Sequence, residues 1–126
     1  MMIDVTKLKS PVYISGPITG MPEGNKQAFK DAEEYLTELG YLCINPRHLE
    51  IPFCLKWEGR NPCKDINKKG GERLWDLMMK RSLAEMMECN SVALLEGWEQ
   101  SKGAVIEYQL CGILNLPVTQ LKQTTV

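Results

Sequence analysis

The chain has almost no net charge, no long apolar run and no paired cysteines, and each shortage removes a class of function. Fifteen basic side chains nearly cancel sixteen acidic ones. That balance leaves no basic field of the kind that duplex nucleic acid or an anionic membrane demands, so nucleic-acid polymers and membranes are not expected partners. A small phosphorylated ligand stays open, because a few local donors hold one. No segment approaches membrane-spanning length, and the amino end Met1-Met2-Ile3-Asp4-Val5-Thr6-Lys7 lacks an apolar stretch with a small-residue cleavage site. The expected location is cytoplasmic. Five cysteines, Cys43, Cys54, Cys63, Cys89 and Cys111, form an odd set without the spacing of a disulfide scaffold or a zinc ribbon. They read as reduced thiols. His48 with Cys43, Cys54 and Cys63 offers zinc's ligand types at the wrong spacing, so neither a metal nor another cofactor is expected.

What remains is enough for one domain, 1–126, with a core over about 11–119. Val12-Tyr13-Ile14 lies between Pro11 and the breaker Gly16-Pro17 and reads as a buried first strand. From Asn25, a plausible N-cap, the pattern turns helical with Phe29, Ala32, Leu36 and Leu39 at three- and four-residue steps, and Gly40 stops it. Tyr41 to Ile44 is the second strand. The stretch 47–71 lacks periodicity and is a long loop of the kind that often forms a lid. Trp75, Met79, Leu83 and Met86 share one face of the next helix, which ends near Asn90. Ser91 to Leu95 is the most apolar strand, a helix runs from about Lys102 to Leu114, and a fourth strand begins over Leu116 to Thr119. Residues 120–126 read as a polar tail. This alternation predicts an α/β fold: a small doubly wound, flavodoxin- or Rossmann-like parallel sheet of about four to five strands flanked by helices.

In such sheets ligands bind beyond the carboxyl ends of the strands. Two turns lie there, Ser15-Gly16-Pro17-Ile18-Thr19-Gly20 and Ser101-Lys102-Gly103-Ala104-Val105-Ile106-Glu107. Each follows a strand and opens a helix, where free backbone N–H groups and the positive end of the dipole suit a phosphate. The second adds a carboxylate, Glu107. One site can then hold an anionic ligand and attack it.

Tyr13 to Gly20, Leu95 to Ala104 and the spacing Ser101-x-Gly103-x-x-x-Glu107 carry a resemblance. From about Pro11 to Val118 the chain resembles the nucleoside 2-deoxyribosyltransferase-like superfamily. Within it the likeness is to a group of small proteins common in phages and prophages, and more distantly to deoxynucleoside 5′-monophosphate N-glycosidases. The resemblance implies a retaining attack on the anomeric carbon of a small deoxyribonucleoside or its 5′-monophosphate, with hydrolysis or base transfer to follow. Glu107 matches the nucleophile and Tyr13 the strand-end tyrosine beside it. Gly16, Thr19 and Gly20, with Ser15 and Pro17 in the same loop, match the first phosphate-side loop, and Ser101 and Gly103 the second. Ser82 stands where relatives usually carry an aspartate that orients or protonates the departing base. Serine is a poor general acid, so the alternative is a nucleotide-binding module, a sensor or ligand-sequestering protein, with impaired chemistry. Asp76 and Glu85 on the same helix are possible substitutes. Relatives often form homo-oligomers, dimers or larger, in which a neighbour helps to close the pocket.

Each residue also has a structural reading. Glu107 can simply favour the helix dipole, and the Gly16–Gly20 loop can be an ordinary turn. Trp98 either stacks on a base or packs against a neighbouring subunit. Trp57 reads as a lid anchor and Trp75 as a core residue. Lys64, Lys68, Lys69 and Arg73 suit a solvated face, Arg81 a phosphate contact or a surface ion pair. Met78, Met79, Met86 and Met87 suit helix packing.

Overall fold

The computed structural model describes residues 8–18, 20–48 and 69–121. Strands β1 (Val12–Ser15), β2 (Cys43–Ile44), β3 (Ser91–Leu95) and β4 (Val118–Leu121) form one sheet in the order β2-β1-β3-β4, and every neighbouring pair is parallel. Helix α1 (Lys26–Glu38) joins β1 to β2, α2 (Lys69–Met87) precedes β3, and α3 (Lys102–Leu114) joins β3 to β4. The chain therefore steps outward from β1 to β2 and then crosses back to β3, so the strand order reverses between β1 and β3. This is the expected α/β fold with a parallel sheet, and the reversal marks where such sheets bind ligands.

Alternation along β1 divides the core. Val12 and Ile14 face α1, where Phe29, Ala32 and Leu36 meet Ala93 and Leu95. Tyr13 faces the other way, among Met86, Cys89, Val92, Leu94 and Cys111, with Leu83 of α2 and Leu110 of α3 packed alongside. Every residue of β1 and β3 is buried, as central parallel strands covered on both faces must be. Each large side chain buried here contributes about 1.5–3 kcal/mol of transfer free energy. At the amino edge, Ser91 Oγ donates to the Lys9 carbonyl at 2.7 Å and accepts from Lys9 N–H at 2.9 Å, tying the entry to β1 onto β3.

Several local expectations need correction. Asn25 does precede α1, yet its side chain caps nothing and its φ is 61°. The turn before it is already left-handed, so its backbone lacks the extended form that aims a capping oxygen at the helix. Leu39 falls just past the last helical turn and is 48% exposed. Strand β2 is only Cys43–Ile44, and among the described residues it pairs with β1 alone. Strand β4 reaches Leu121, which is buried beside Leu95, so the first residues of the supposed tail belong to the sheet. Helix α2 opens at Lys69, inside the stretch read as loop, and Pro46–His48 forms a single 3-10 turn. Met87 is exposed. The rest of the 47–71 loop with Trp57, Cys54, Cys63, Lys64 and Lys68, the side chains of His48, Lys69, Arg73 and Trp75, and Thr19 lie outside the described residues.

The carboxyl ends of β1 and β3 approach so closely that one position tolerates only glycine. A Cβ on Gly16 would sit 2.7 Å from Leu95 Cβ and 2.8 Å from Leu95 Cδ1, inside a contact that cannot relax without separating the strands. Gly16→Ala should therefore destabilise the fold by about 1–3 kcal/mol, measured by denaturant unfolding. An unchanged midpoint would show that the strand ends have room.

Candidate active site

Period-two alternation puts Tyr13 and Ser15 on the same face of β1, two residues apart and both buried, at the carboxyl end of the strand. Glu107 comes to them from the second turn of α3. Tyr13 Oη donates to Glu107 Oε2 at 2.6 Å, and Ser15 Oγ donates to Oε1 at 2.7 Å. Both carboxylate oxygens thus hold a hydroxyl donor, at distances usual for bonds to an ionised acceptor. Glu107 is only 5% exposed. The two distant segments singled out in the sequence therefore meet across the switch between β1 and β3.

Helix α3 is aimed by its cap. Ser101 Oγ accepts from the Ala104 N–H at 3.3 Å, the usual role of an N-cap serine, with extended backbone (φ −105°). Gly103 lies under α2: a Cβ there would stand 3.3 Å from Met79 Sδ. The loop after β3 touches the loop after β1, since a Cβ on Gly97 would lie 3.6 Å from Pro17 Cγ. Pro17 is buried, and Gly20 takes φ +83° in the turn closed by Met21 N–H to the Ile18 carbonyl. The segment after β2 joins the same rim, where the Arg47 guanidinium packs against Gly24.

Opposed forces set the ionisation of this cluster. Burial pushes the Glu107 carboxyl above its ordinary range, and the Tyr13 and Ser15 hydroxyls pull it back down. Burial, then the Glu107 charge, drives the Tyr13 phenol well above 10, so it serves as a donor and not as a base. Burial also lifts the Cys111 thiol to about 11, with the Glu107 charge adding to it, and the Cys89 thiol to about 11, helped by Glu85 and Glu88. Neither thiol is a nucleophile at neutral pH. Glu107 is the carboxyl group of the cluster.

Of the remaining sequence candidates, Ser82 does reach the cluster. It is half-buried on α2, near enough to the Tyr13 phenol to oppose, weakly, the rise that burial and Glu107 impose on it. Asp76 is exposed, and Glu85 pairs outward with Arg81 at 3.9 Å, which makes Arg81 a surface ion pair. Trp98 is half-buried against the Tyr13 layer, and its ring stacks on Tyr108 with centroids 4.6 Å apart and 30° between planes. One face of the indole is therefore already occupied, by a residue that sequence reasoning did not name. In sequence Ser15 reads as part of the phosphate-side loop, whereas its hydroxyl is spent on Glu107. Its spacing of two from Tyr13 was the available signal. Among the described residues no cluster of three His, Cys, Asp or Glu side chains converges as for a metal, and no helix is long and apolar enough to cross a membrane.

The raised Glu107 ionisation has a thermodynamic consequence of definite sign. The folded state holds this proton more tightly than the unfolded chain does, so the associated stability is complete below the ordinary carboxyl value of 4.5. It is lost as pH rises through the higher folded value. Glu107→Gln stays neutral throughout and should gain stability relative to the parent protein as pH rises from 4.5 towards mild alkali. Urea unfolding of both proteins across that range measures the difference. A constant difference would mean that the carboxylate is not desolvated.

No match is found among curated proteins or among solved structures. One family does match, over residues 10–120, and its description, domain of unknown function, carries no activity. Its span takes in the strand-end tyrosine, both loops, Glu107 and all four strands except the last residue of β4. The chain belongs to the DUF4406 family.

Proposed function

We propose that the protein is an N-glycosidase, or a deoxyribosyltransferase-like protein, that acts on a small deoxyribonucleoside or its 5′-monophosphate through Glu107. The observation that carries this reading is a buried carboxylate gripped at both oxygens by Tyr13 and Ser15, at the point where the strand order reverses. A carboxylate there is preorganised for in-line attack: a C1′–O bond to Glu107 forms while the bond from C1′ to the base nitrogen breaks, and the base leaves with the bonding pair and takes a proton from solvent. Water then attacks C1′, the C1′–O bond breaks, Glu107 returns as a carboxylate and a proton leaves to solvent. A second base in place of water makes the same sequence a transfer. The loops from Gly16 to Gly20 and from Ser101 to Gly103 supply N–H and hydroxyl donors for a 5′-phosphate, and Arg47 adds positive charge at their rim.

A second reading, a nucleotide-binding module without turnover, is favoured by one observation. The α2 residue at the cluster is Ser82, while Asp76 is exposed and Glu85 is engaged by Arg81. A positioned acid is worth roughly 10²–10⁴ in rate. The two readings separate by incubating the protein with each deoxynucleoside and deoxynucleoside monophosphate and resolving free base by chromatography. The enzyme should release base from at least one, and Glu107→Gln should lose about a thousandfold or more of that rate. Stabilisation by a nucleotide that stays intact would select the binding module. If no base is released and no melting curve shifts, both readings fail.

The reading includes a homo-oligomer, dimer or larger, supported by one surface. Helix α3 is apolar around nearly its whole circumference, with Tyr108, Ile113 and Leu114 outward at 40%, 72% and 46% exposure. A helix apolar on all sides is one that something covers. Light scattering should give a mass above one chain, and Ile113→Glu should lower it. A wild-type mass of a single chain would end the assembly reading.

A further inference from the structure

We propose that Arg47 is a specificity-determining residue of this site: its guanidinium, seated on the backbone of Gly24, takes phosphate oxygens of the ligand, so that the protein prefers a deoxynucleoside 5′-monophosphate to the free deoxynucleoside. The inference rests on reading the rim beyond β1 and β3 as a nucleotide site, which the glycosidase and the binding module share.

Register brings Arg47 to that rim. Val12 pairs with Cys43 and Tyr13 with Ile44 in parallel, so the chain beyond β2 leaves the sheet on the same side as Ser15 and Gly16. The 3-10 turn over Pro46–His48 packs against β1. Asn45 fixes the backbone there: it is buried, its Oδ1 accepts the Arg47 N–H at 2.9 Å, and its Nδ2 donates to Glu33 Oε2 on α1 at 2.9 Å. Both ends of that amide are engaged. Arg47 therefore projects an exposed side chain from an anchored main chain.

The loop after β1 builds the seat. Glu23, Gly24 and Asn25 take φ of 51°, 63° and 61°, three left-handed residues in a row of which only one is glycine. Such backbone is unfavourable for any residue with a Cβ and persists only where its surroundings fix it. A Cβ on Gly24 would overlap Arg47 Nη1, and it would lie 3.2 Å from Arg47 Cζ and 3.5 Å from Ile18 Cγ2. The guanidinium thus occupies the space of the absent side chain, beside Ile18 in the middle of the Gly16–Gly20 loop. Ordering a long side chain in this way costs rotamer entropy, which an arginine serving only solubility has no reason to lose.

Charge identifies what the seat receives. Among the described residues no carboxylate is ion-paired with Arg47. A planar guanidinium donates two parallel N–H bonds to phosphate oxygens, and those charge-assisted bonds are the strong ones. A free deoxynucleoside presents only hydroxyls at the same point, so it forgoes them. The preference follows from one fixed cation beside a loop whose N–H groups already suit an anion.

The test is calorimetric titration of the full chain with each common deoxynucleoside and its 5′-monophosphate, and with inorganic phosphate as the control. The parent protein should bind at least one monophosphate about tenfold or more tightly than the matching nucleoside. Arg47→Gln, a change at an exposed side chain, should lower that ratio by about tenfold or more. Gly24→Ala keeps the arginine but fills its seat, so the ratio should fall there too. Where a probe is turned over, the ratio of kcat/KM values replaces the ratio of affinities. Unchanged thermal melting of the free Arg47→Gln protein shows that the fold is kept. A parent ratio near one, or a ratio that Arg47→Gln leaves as it was, would overturn the proposal, as would inorganic phosphate bound as tightly as the monophosphate. A Gly24→Ala ratio equal to the parent's would overturn the seat. Base released equally from nucleoside and monophosphate leaves the glycosidase reading standing without this preference. A preference that depends on Arg47, with no base released, leaves the preference standing without the glycosidase.

Discussion

The clasp between β1 and α3 is the constraint on which the site depends. Taking a carboxylate out of water costs several kcal/mol even after relaxation. The Tyr13 and Ser15 hydroxyls offset part of that, since a hydrogen bond to a charged group contributes about 1.5–3 kcal/mol. Part remains, because burial still outweighs both hydroxyls in setting the Glu107 ionisation. A leucine or methionine at the same place would pack against Tyr13, Cys111 and Leu94 with no such cost. A merely structural role is thus better served by an apolar side chain, and residual costs of this kind cluster at functional sites.

The fold turns that local clasp into a site. Parallel pairing sends β1 and β3 in the same direction, so their carboxyl ends open on one rim, and the crossover from β2 to β3 leaves a reversal of order between them. Gly16 and Leu95 are in contact there because no side chain intervenes. The same closeness brings α3, which starts just beyond β3, within reach of residues on β1 that lie 92 and 94 positions away in sequence. Met79 over Gly103 then ties α2 to the first turn of α3, so three elements fix one carboxylate.

What could be read beforehand followed the physics that is local. Strand β3 and helix α3 match their expected limits, and Asn115 ends α3 in the left-handed conformation that asparagine accepts (φ 58°). The pairing of Glu107 with Tyr13 came from a family likeness, and the strand-end geometry agrees with it. Ser15 was harder, because the residue sits next to Gly16 in a loop-like string, and loop composition concealed the strand period that points its hydroxyl inward. Leu121 is flanked by Gln120 and Lys122, so polar neighbours conceal its place beside Leu95. Trp98 stacking on Tyr108 joins a 3-10 turn to a helix face, and neither periodicity nor spacing encodes such a contact.

The opposed forces on Glu107 also bear on how an ester at that position would behave. A carboxylate deprived of water is a stronger nucleophile than a hydrated one, yet it attacks only when ionised, and burial alone would protonate it. Two hydroxyl donors resolve the conflict by holding the charge without rehydrating the group. When the carboxylate becomes an ester its charge disappears, and the Tyr13 and Ser15 bonds weaken from charge-assisted to neutral, roughly half their strength. They recover that strength as soon as the ester opens. On the glycosidase reading proposed above, the clasp would thus work against accumulation of the covalent state and in favour of its release.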